Sequence, residues 1–262
     1  MFTFKQFHVE DDRCAMKVGT DGVLLGAWFD IEMDVPGEEE PDPQVRPHRI
    51  LDIGTGCGLI ALMAAQRVAA GQAANTDAVV ALPAVHVDAI DIDRGCIADA
   101  QVNVSKSPWG DAITLWHKSL DEFAQIAPRA AYDRIVSNPP YFSNSLLPPD
   151  RGRATARHTF SLSLTQLVSK AAGLLKSGGL LSAILPVSET EQFMAACISA
   201  GLCLHRMVEV RPFAGASPKR ALLEAGFAPR EPQRGTLTIH EANHEEYTAE
   251  YRSLTKEFYL KF

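Results

Sequence analysis

The chain has 262 residues, 46% hydrophobic and 22% charged, which is ordinary globular usage and enough apolar material for one core, or one domain with modest additions. No run of about 20 apolar residues points to a membrane span, and MFTFKQFHVEDDRC has no basic stretch followed by an apolar one, so it does not read as a secretory signal. The cysteines are Cys14, Cys57, Cys96, Cys197 and Cys203, an odd number without C-x-x-C; they predict free thiols in a reducing cytosol, with neither a disulfide framework nor a metal site. The net charge of −7 argues against a nucleic-acid partner, but seven acids lie between Asp30 and Val45 with no Lys or Arg among them, and outside that segment 25 acids face 25 bases. A neutral body can carry a local basic patch, which is what phosphates meet.

KVGTDGVLLGAWF (17–29) reads as a turn and a short apolar helix with Thr20 or Asp21 as N-cap. Residues 30–48 are acidic and Pro-rich without apolar period and predict an exposed loop. RILDIG (49–54) is a buried strand, and LIALMAAQRVAA (59–70) a helix by composition. Residues 71–84 read as a loop, VHVDAIDID (85–93) as a strand, 94–107 as a helix and AITLWH (112–117) as a strand. AYDRIVSNPPY (131–141) is a strand stopped by a Pro pair, and SLTQLVSKAAGLL (163–175) a helix closed by Lys176-Ser177-Gly178-Gly179. A strand at 180–186, a helix at 189–201, strands at 204–212 and 220–228, and an aromatic helix over the final stretch complete the pattern.

Strand and helix alternate from residue 49 to about 201, which predicts a doubly wound α/β fold with a mostly parallel sheet of seven strands and helices on both faces. Ligands in such sheets bind outside the carboxyl ends of the strands, at the switch point. Both sequence motifs fall at strand ends.

The first motif is LDIGTGCGL, with Gly54, Gly56 and Gly58 between a strand and a helix. G-x-G-x-G is not the dinucleotide spacing, but it serves the same needs, a tight turn and backbone bare enough for a ligand to approach. Asp52 could meet a cationic group near the loop, such as the amino group or sulfonium of S-adenosylmethionine. At the end of the next strand, Asp91 is read as a ribose-binding carboxylate and Asp93 as a helix N-cap; Asp91 lies 33 residues beyond Gly58, and the 71–84 segment accounts for the excess over the usual spacing of about 20.

The second motif is Ser137-Asn138-Pro139-Pro140-Tyr141. The lone pair of an adenine N6 is delocalised into the ring, so methylating it requires the nitrogen to pyramidalise. Two acceptors aimed at its N–H bonds, the Asn138 side-chain oxygen and the Pro139 carbonyl, would do this, since successive prolines fix the backbone and remove competing donors. Pro140 belongs to that rigid corner, and Tyr141 would stack on an extruded base.

Together these motifs resemble class I S-adenosylmethionine-dependent methyltransferases of the NPPY type. FTFKQFHVEDDRCAMKVGTDGVLLGAWF, SPWGD (107–111) and EEYTAEYRSLTKEFYL look like the corresponding parts of bacterial tRNA(Val) adenine N6-methyltransferases. The resemblance covers nearly the whole chain except 31–48 and 71–84. It implies S-adenosylmethionine as cofactor and, as substrate, the adenosine 3′ of the anticodon in the major valine tRNA. By position, it places Gly54, Gly56 and Gly58 on the methionine moiety, Asp91 on the ribose and Asn138 to Tyr141 on the target base. Lys17, Thr20 and Asp21 would stand near the cofactor's amino-acid end or the target pocket. Where that family often carries an acid for the cofactor's adenine, this chain has Ser119, with Asp121 two residues on. The implied division is an N-terminal extension, 1–48, holding the acidic loop, and a methyltransferase domain, 49–262.

Arg151, Arg153 and Arg157, with His158, follow the corner and are read as phosphate contacts in a flexible loop; Arg206, Arg211, Lys219 and Arg220 form a second basic group open to either a surface or an RNA role. The acidic loop would repel RNA and is expected away from the binding face. The C-terminal aromatics are read as packing on the sheet, the three tryptophans as core or interface, and His117 as structural. A cytoplasmic protein without metal, membrane or obligate protein partner follows.

Four rival readings stand beside this one. A protein glutamine presents the same amide N–H pair to the corner, but that family carries a helical domain before the glycine loop. DNA adenine methylation lacks a visible target-recognition domain here. A non-catalytic RNA-binding module would tolerate an altered corner, and the glycine spacing disfavours a nicotinamide oxidoreductase.

Overall fold

The computed structural model describes residues 1–31, 48–74, 85–140, 162–243 and 245–262. The acidic loop, most of the 71–84 segment, Tyr141 and the arginines at 151, 153 and 157 fall outside these residues.

A two-strand hairpin, β1 (Phe2–Thr3) and β2 (His8–Val9), precedes helix α1 (Thr20–Trp28). Gly19 is the N-cap of α1, rather than Thr20 or Asp21, and makes no side-chain cap bond; the Asp21 carboxylate instead accepts from Arg220 Nε at 2.8 Å. Then come β3 (His48–Ile53), α2 (Leu59–Ala74), β4 (Val85–Asp91), α3 (Arg94–Ser105), β5 (Ile113–His117), α4 (Leu120–Ile126) and β6 (Tyr132–Ser137). The second half holds α5 (Leu164–Leu174), β7 (Leu175–Pro186), α6 (Thr190–Ser199), β8 (Cys203–Phe213), β9 (Arg220–Gly226), β10 (Gln233–His240) and α7 (Ala249–Thr255).

One large sheet has eight strands in the order β10-β8-β9-β7-β6-β3-β4-β5, not the expected seven. Only β9 runs antiparallel to its neighbours, slotted between β7 and β8. The extra strand, β10, pairs in parallel with β8 at the edge, with its first four residues exposed and Leu237 buried. Its sequence, QRGTLTIH, has too few apolar residues to stand out because an edge strand covers little core.

Period-2 alternation explains how the sheet is covered. Ile50, Val87, Val136, Ile184 and Leu222 face one core with Leu24, Leu62 and Met63 of α1 and α2. Leu51, Ile90, Ile135, Leu181 and Leu223 face the other, against Phe123 of α4, Leu167 of α5 and Phe193 of α6. Phe4, Phe7 and Val9 belong to the first core, so the N-terminal residues are built into the sheet's packing.

α5 is fixed by a capping box between Ser163 and Gln166 and buries Leu164, Leu167, Val168, Ala171 and Leu174 at helical spacing. It is not closed by Gly178-Gly179: the chain passes from Leu174 directly into β7. Gly179 sits at a register shift between β6 and β7, where a Cβ would come within 2.9 Å of the Tyr132 carbonyl oxygen. The aromatic C-terminal helix is likewise shorter than expected, only α7, followed by turns at Phe258 and Phe262. Tyr251 and Phe258 are buried, which confirms the packing role of that segment.

Candidate active site

β3 and β6 are parallel neighbours from which the chain winds outward in opposite senses, β3 toward β4 and β5, β6 toward β7. Their carboxyl ends form the switch point, and both motifs lie there. Ser137 Oγ donates to the Ile53 carbonyl at 2.9 Å, tying the two strand ends together.

The glycine loop turns at the end of β3. Gly54, Gly56 and Gly58 have φ of +73°, +56° and +85°, a region costly for side chains with a Cβ. The Gly54 and Thr55 amides both donate to the Ile90 carbonyl at 2.9 Å, which fastens the loop to β4. A Cβ on Gly54 or Gly56 would meet nothing within 4 Å, so these glycines border open space; at Gly58 it would meet Ala100 Cβ at 3.3 Å, so this glycine serves the packing of α3.

Asp91 ends β4. Its carboxylate accepts from the Gly56 amide and the Asp93 amide, each at 2.8 Å, and burial raises its pKa. Asp93 caps α3 as expected, accepting from the Cys96 amide at 2.8 Å. Asp52 lies fully buried beneath the loop. Its Oδ2 accepts from Thr55 Oγ1 at 2.7 Å, its Oδ1 has no hydrogen-bond partner, and burial pushes its pKa up to about 7. An uncompensated carboxylate oxygen next to open backbone is suited to a cation.

Asn138 and Pro139 leave β6 at the same edge. The Asn138 Nδ2 lies 3.9 Å from the Met16 sulfur, and a Cβ on Gly22 would stand 4.0 Å from that nitrogen. The first turn of α1 therefore flanks the corner. The segment holding Lys17, Thr20 and Asp21 is brought to the site, although the Lys17 ammonium is engaged by the carbonyls of Asp11 and Asp12 at 2.6 and 3.1 Å. The Ser119 hydroxyl is already committed to a capping box with Glu122 at the start of α4, and Asp121 pairs with Lys170 at 3.0 Å.

Two site-shaping residues escaped the sequence reading. Asn103 donates to the Glu10 and Cys57 carbonyls at 2.7 and 2.9 Å and accepts from the Glu10 amide at 2.8 Å. Asp99 accepts from the Arg13 and Cys14 amides at 2.7 and 3.2 Å. These buried side chains strap residues 10–14 across α3 beside the glycine loop. Their signal was a polar pair at i, i+4 on the face that also buries Cys96, Ala100 and Val104. Cys14, Cys57 and Cys96 meet under the strap: a hydrogen bond with Cys57 pushes Cys14 up to about 12, so this thiol is a neutral packing group.

The second basic group divides. Arg206 lies 3.9 Å over the Trp28 ring and donates to buried Glu224 at 3.2 Å. It sits near the start of β8, at the sheet edge away from the site, whereas Arg220 at the start of β9 reaches Asp21 on the site's edge. His117 Nε2 meets the Ile92 carbonyl at 3.0 Å, and Trp109 and Trp116 pack against the two cores, so these serve as structure.

A mostly parallel sheet with this strand order, a glycine turn after its first long strand, an acid after the second and Asn-Pro-Pro after the fourth has the architecture and motif layout of a class I methyltransferase. The fold is similar to that of a predicted O-methyltransferase from Agrobacterium tumefaciens, with a TM-score of 0.63 at 18% identity over 90% of this chain and 96% of that one. Residues 49–173 match the family described as RMKL-like, methyltransferase domain. The chain is 41% identical to a tRNA1(Val) (adenine(37)-N6)-methyltransferase of Trichodesmium erythraeum over 100% of this chain and 98% of the relative. It is 42% identical to one of Phocaeicola vulgatus, over 99% and 97%. The chain belongs to the tRNA1(Val) (adenine(37)-N6)-methyltransferase family.

Proposed function

We propose that the protein methylates N6 of an adenine in tRNA with S-adenosylmethionine, at the nucleotide 3′ of the anticodon in the valine tRNA. The observation that carries the reading is the position of Asn138 and Pro139 at the carboxyl end of β6, beside the open glycine turn of β3.

The residues present fit the cofactor. The cradle over Gly54 and Gly56 is open, Asp91 offers a carboxylate at its rim for ribose hydroxyls, and Asp52 supplies a buried unpartnered oxygen. Lys17 and Thr20 flank the site. The Ser119 hydroxyl and amide are both held by Glu122 at 2.8 Å, so Ser119 marks the adenine end by its position only. The cofactor supplies an electrophilic methyl on a sulfonium.

Asn138 and Pro139 hold the target amine. Their two oxygens accept its N–H bonds, which turns the nitrogen lone pair out of conjugation and fixes its direction. Met16 and the first turn of α1 form a wall beside them. Tyr141 stacks on the base, and Arg151, Arg153 and Arg157 contact phosphates; these four roles rest on sequence position. The protein acts in the cytoplasm, where tRNA is found. Among the described residues no helix is long and apolar enough to cross a membrane, and no three His, Cys, Asp or Glu side chains are arranged to hold a metal ion.

The test is transfer of labelled methyl to total tRNA, with nucleoside analysis by mass spectrometry, for wild type and Asn138→Ala. N6-methyladenosine made by wild type alone is expected. Label appearing in protein or DNA instead would overturn the substrate.

A further inference from the structure

A cavity of about 450 Å³ lies at the same edge of the sheet, between the N-terminal hairpin, the first turn of α1, the end of β10 and the last residues of the chain. Its wall is aromatic. Tyr247 stacks on Tyr251 at 5.2 Å and lies against the His240 ring at 4.4 Å. Phe262 stands edge-on to both tyrosines and to Tyr259. These rings are fixed by one another and by the buried Tyr251, so a ligand pays little to order them.

Three features identify the ligand. The lining holds Lys261 but no Asp or Glu, although the chain as a whole carries a charge of −7. The buried Nδ1 of His240 has no hydrogen-bond partner. Thr20, which lines the cavity, is two residues from Gly22, which stands against Asn138. The cavity and the Asn138 corner are thus two sides of one helical turn, at the carboxyl edge where β10 ends. An aromatic wall beside a cation, with no Asp or Glu side chain in the lining, suits a flat heterocycle joined to a phosphate.

We infer that this cavity is a second nucleotide subsite, taking an unpaired base that neighbours the methylated adenine in the same RNA strand. The base packs against the Phe262 and Tyr259 rings, His240 meets its polar edge, and Lys261 meets its phosphate. The inference rests on the proposed RNA substrate.

The experiment uses the full chain and an RNA stem-loop with a seven-nucleotide loop, about the size of an anticodon loop, its loop bases replaced one at a time by 2-aminopurine. Wild type should quench one base other than the methylated one, and Phe262→Ala should abolish that quench. Phe262→Ala and Lys261→Ala should each raise KM for the stem-loop about tenfold, the range expected for losing one stacked base, while kcat and S-adenosylmethionine affinity stay within twofold. Lys261 is exposed, so its variant keeps the test valid if Phe262→Ala fails to fold. Unchanged KM in the folded variants, from a wild type that methylates the RNA, overturns the subsite alone. A wild type that transfers no methyl to any RNA overturns the function and the subsite with it.

Discussion

The Asp91 carboxylate accepts a hydrogen bond from the Gly56 amide at 2.8 Å, across a separation of 35 residues. The acid that ends β4 and the glycine turn that ends β3 are therefore one unit, and a ligand that binds the acid also reads the shape of the turn. The same carboxylate holds the Asp93 amide, so its position is set before any ligand arrives.

Asp91→Asn should test that unit. Its side chain can keep one acceptor but places an amide where the Gly56 or Asp93 N–H points. S-adenosylmethionine affinity, measured by calorimetry, is expected to fall at least tenfold, roughly 1.4 kcal/mol, with the fold intact by circular dichroism. Affinity equal to wild type would remove Asp91 from the cofactor site.

Asp52 gives a pH dependence. Its folded pKa of about 7 lies above the ordinary 3.8 because it is buried. At acid pH both folded and unfolded forms hold the proton and the group costs nothing. Between about pH 4 and pH 7 only the folded form holds it, so stability from this site falls as pH rises and levels off above 7. Asp52→Asn should remove that loss. The variant is expected to melt several degrees higher than wild type at pH 8 but with no such advantage at pH 4, and to bind cofactor more weakly. A melting-temperature difference that does not change with pH would refute the assignment.

The glycines of the loop should separate two roles. Gly56→Ala adds a methyl to open space and costs backbone strain of about 1–2 kcal/mol. Gly58→Ala adds a contact with Ala100 to a similar strain and should melt lower. Cofactor affinity should suffer more from Gly56→Ala, since its Cβ enters the cradle. Thermal melts and calorimetry on both variants decide it, and the reverse ranking in binding would mean the ligand does not lie over Gly56.

Asn103→Ala removes three hydrogen bonds that hold the strap beside the glycine loop. It should destabilise the protein by about 2–3 kcal/mol, because the Glu10 and Cys57 backbone groups lose buried partners. Cofactor affinity should fall severalfold through the loosened loop, and hydrogen exchange should quicken at residues 10–14. Unchanged exchange there would show that the strap is held by Asp99 alone.

The sequence by itself determined the elements whose cause is local or periodic. Ile50 and Leu51 alternate because a doubly covered strand needs apolar side chains on both faces, and the three glycines mark a turn that only positive φ can make. Asn138-Pro139-Pro140 could be placed at a strand end because prolines fix their own backbone and stop the ladder. Asp93 as a helix cap was equally local. Tertiary structure decided what depends on distant partners. Ser119 looked available for a ligand until its helix placed Glu122 against it, and Arg206 and Arg220 looked like one basic group until β8 and β9 carried them to opposite edges. β10 needed β8 as its template, Asn103 needed the N-terminal strap, and Met16 reached Asn138 only through folding. Motif chemistry resides in side chains and short backbone turns, which a sequence spells out. The distances at which those groups meet are set by packing between segments far apart in the chain.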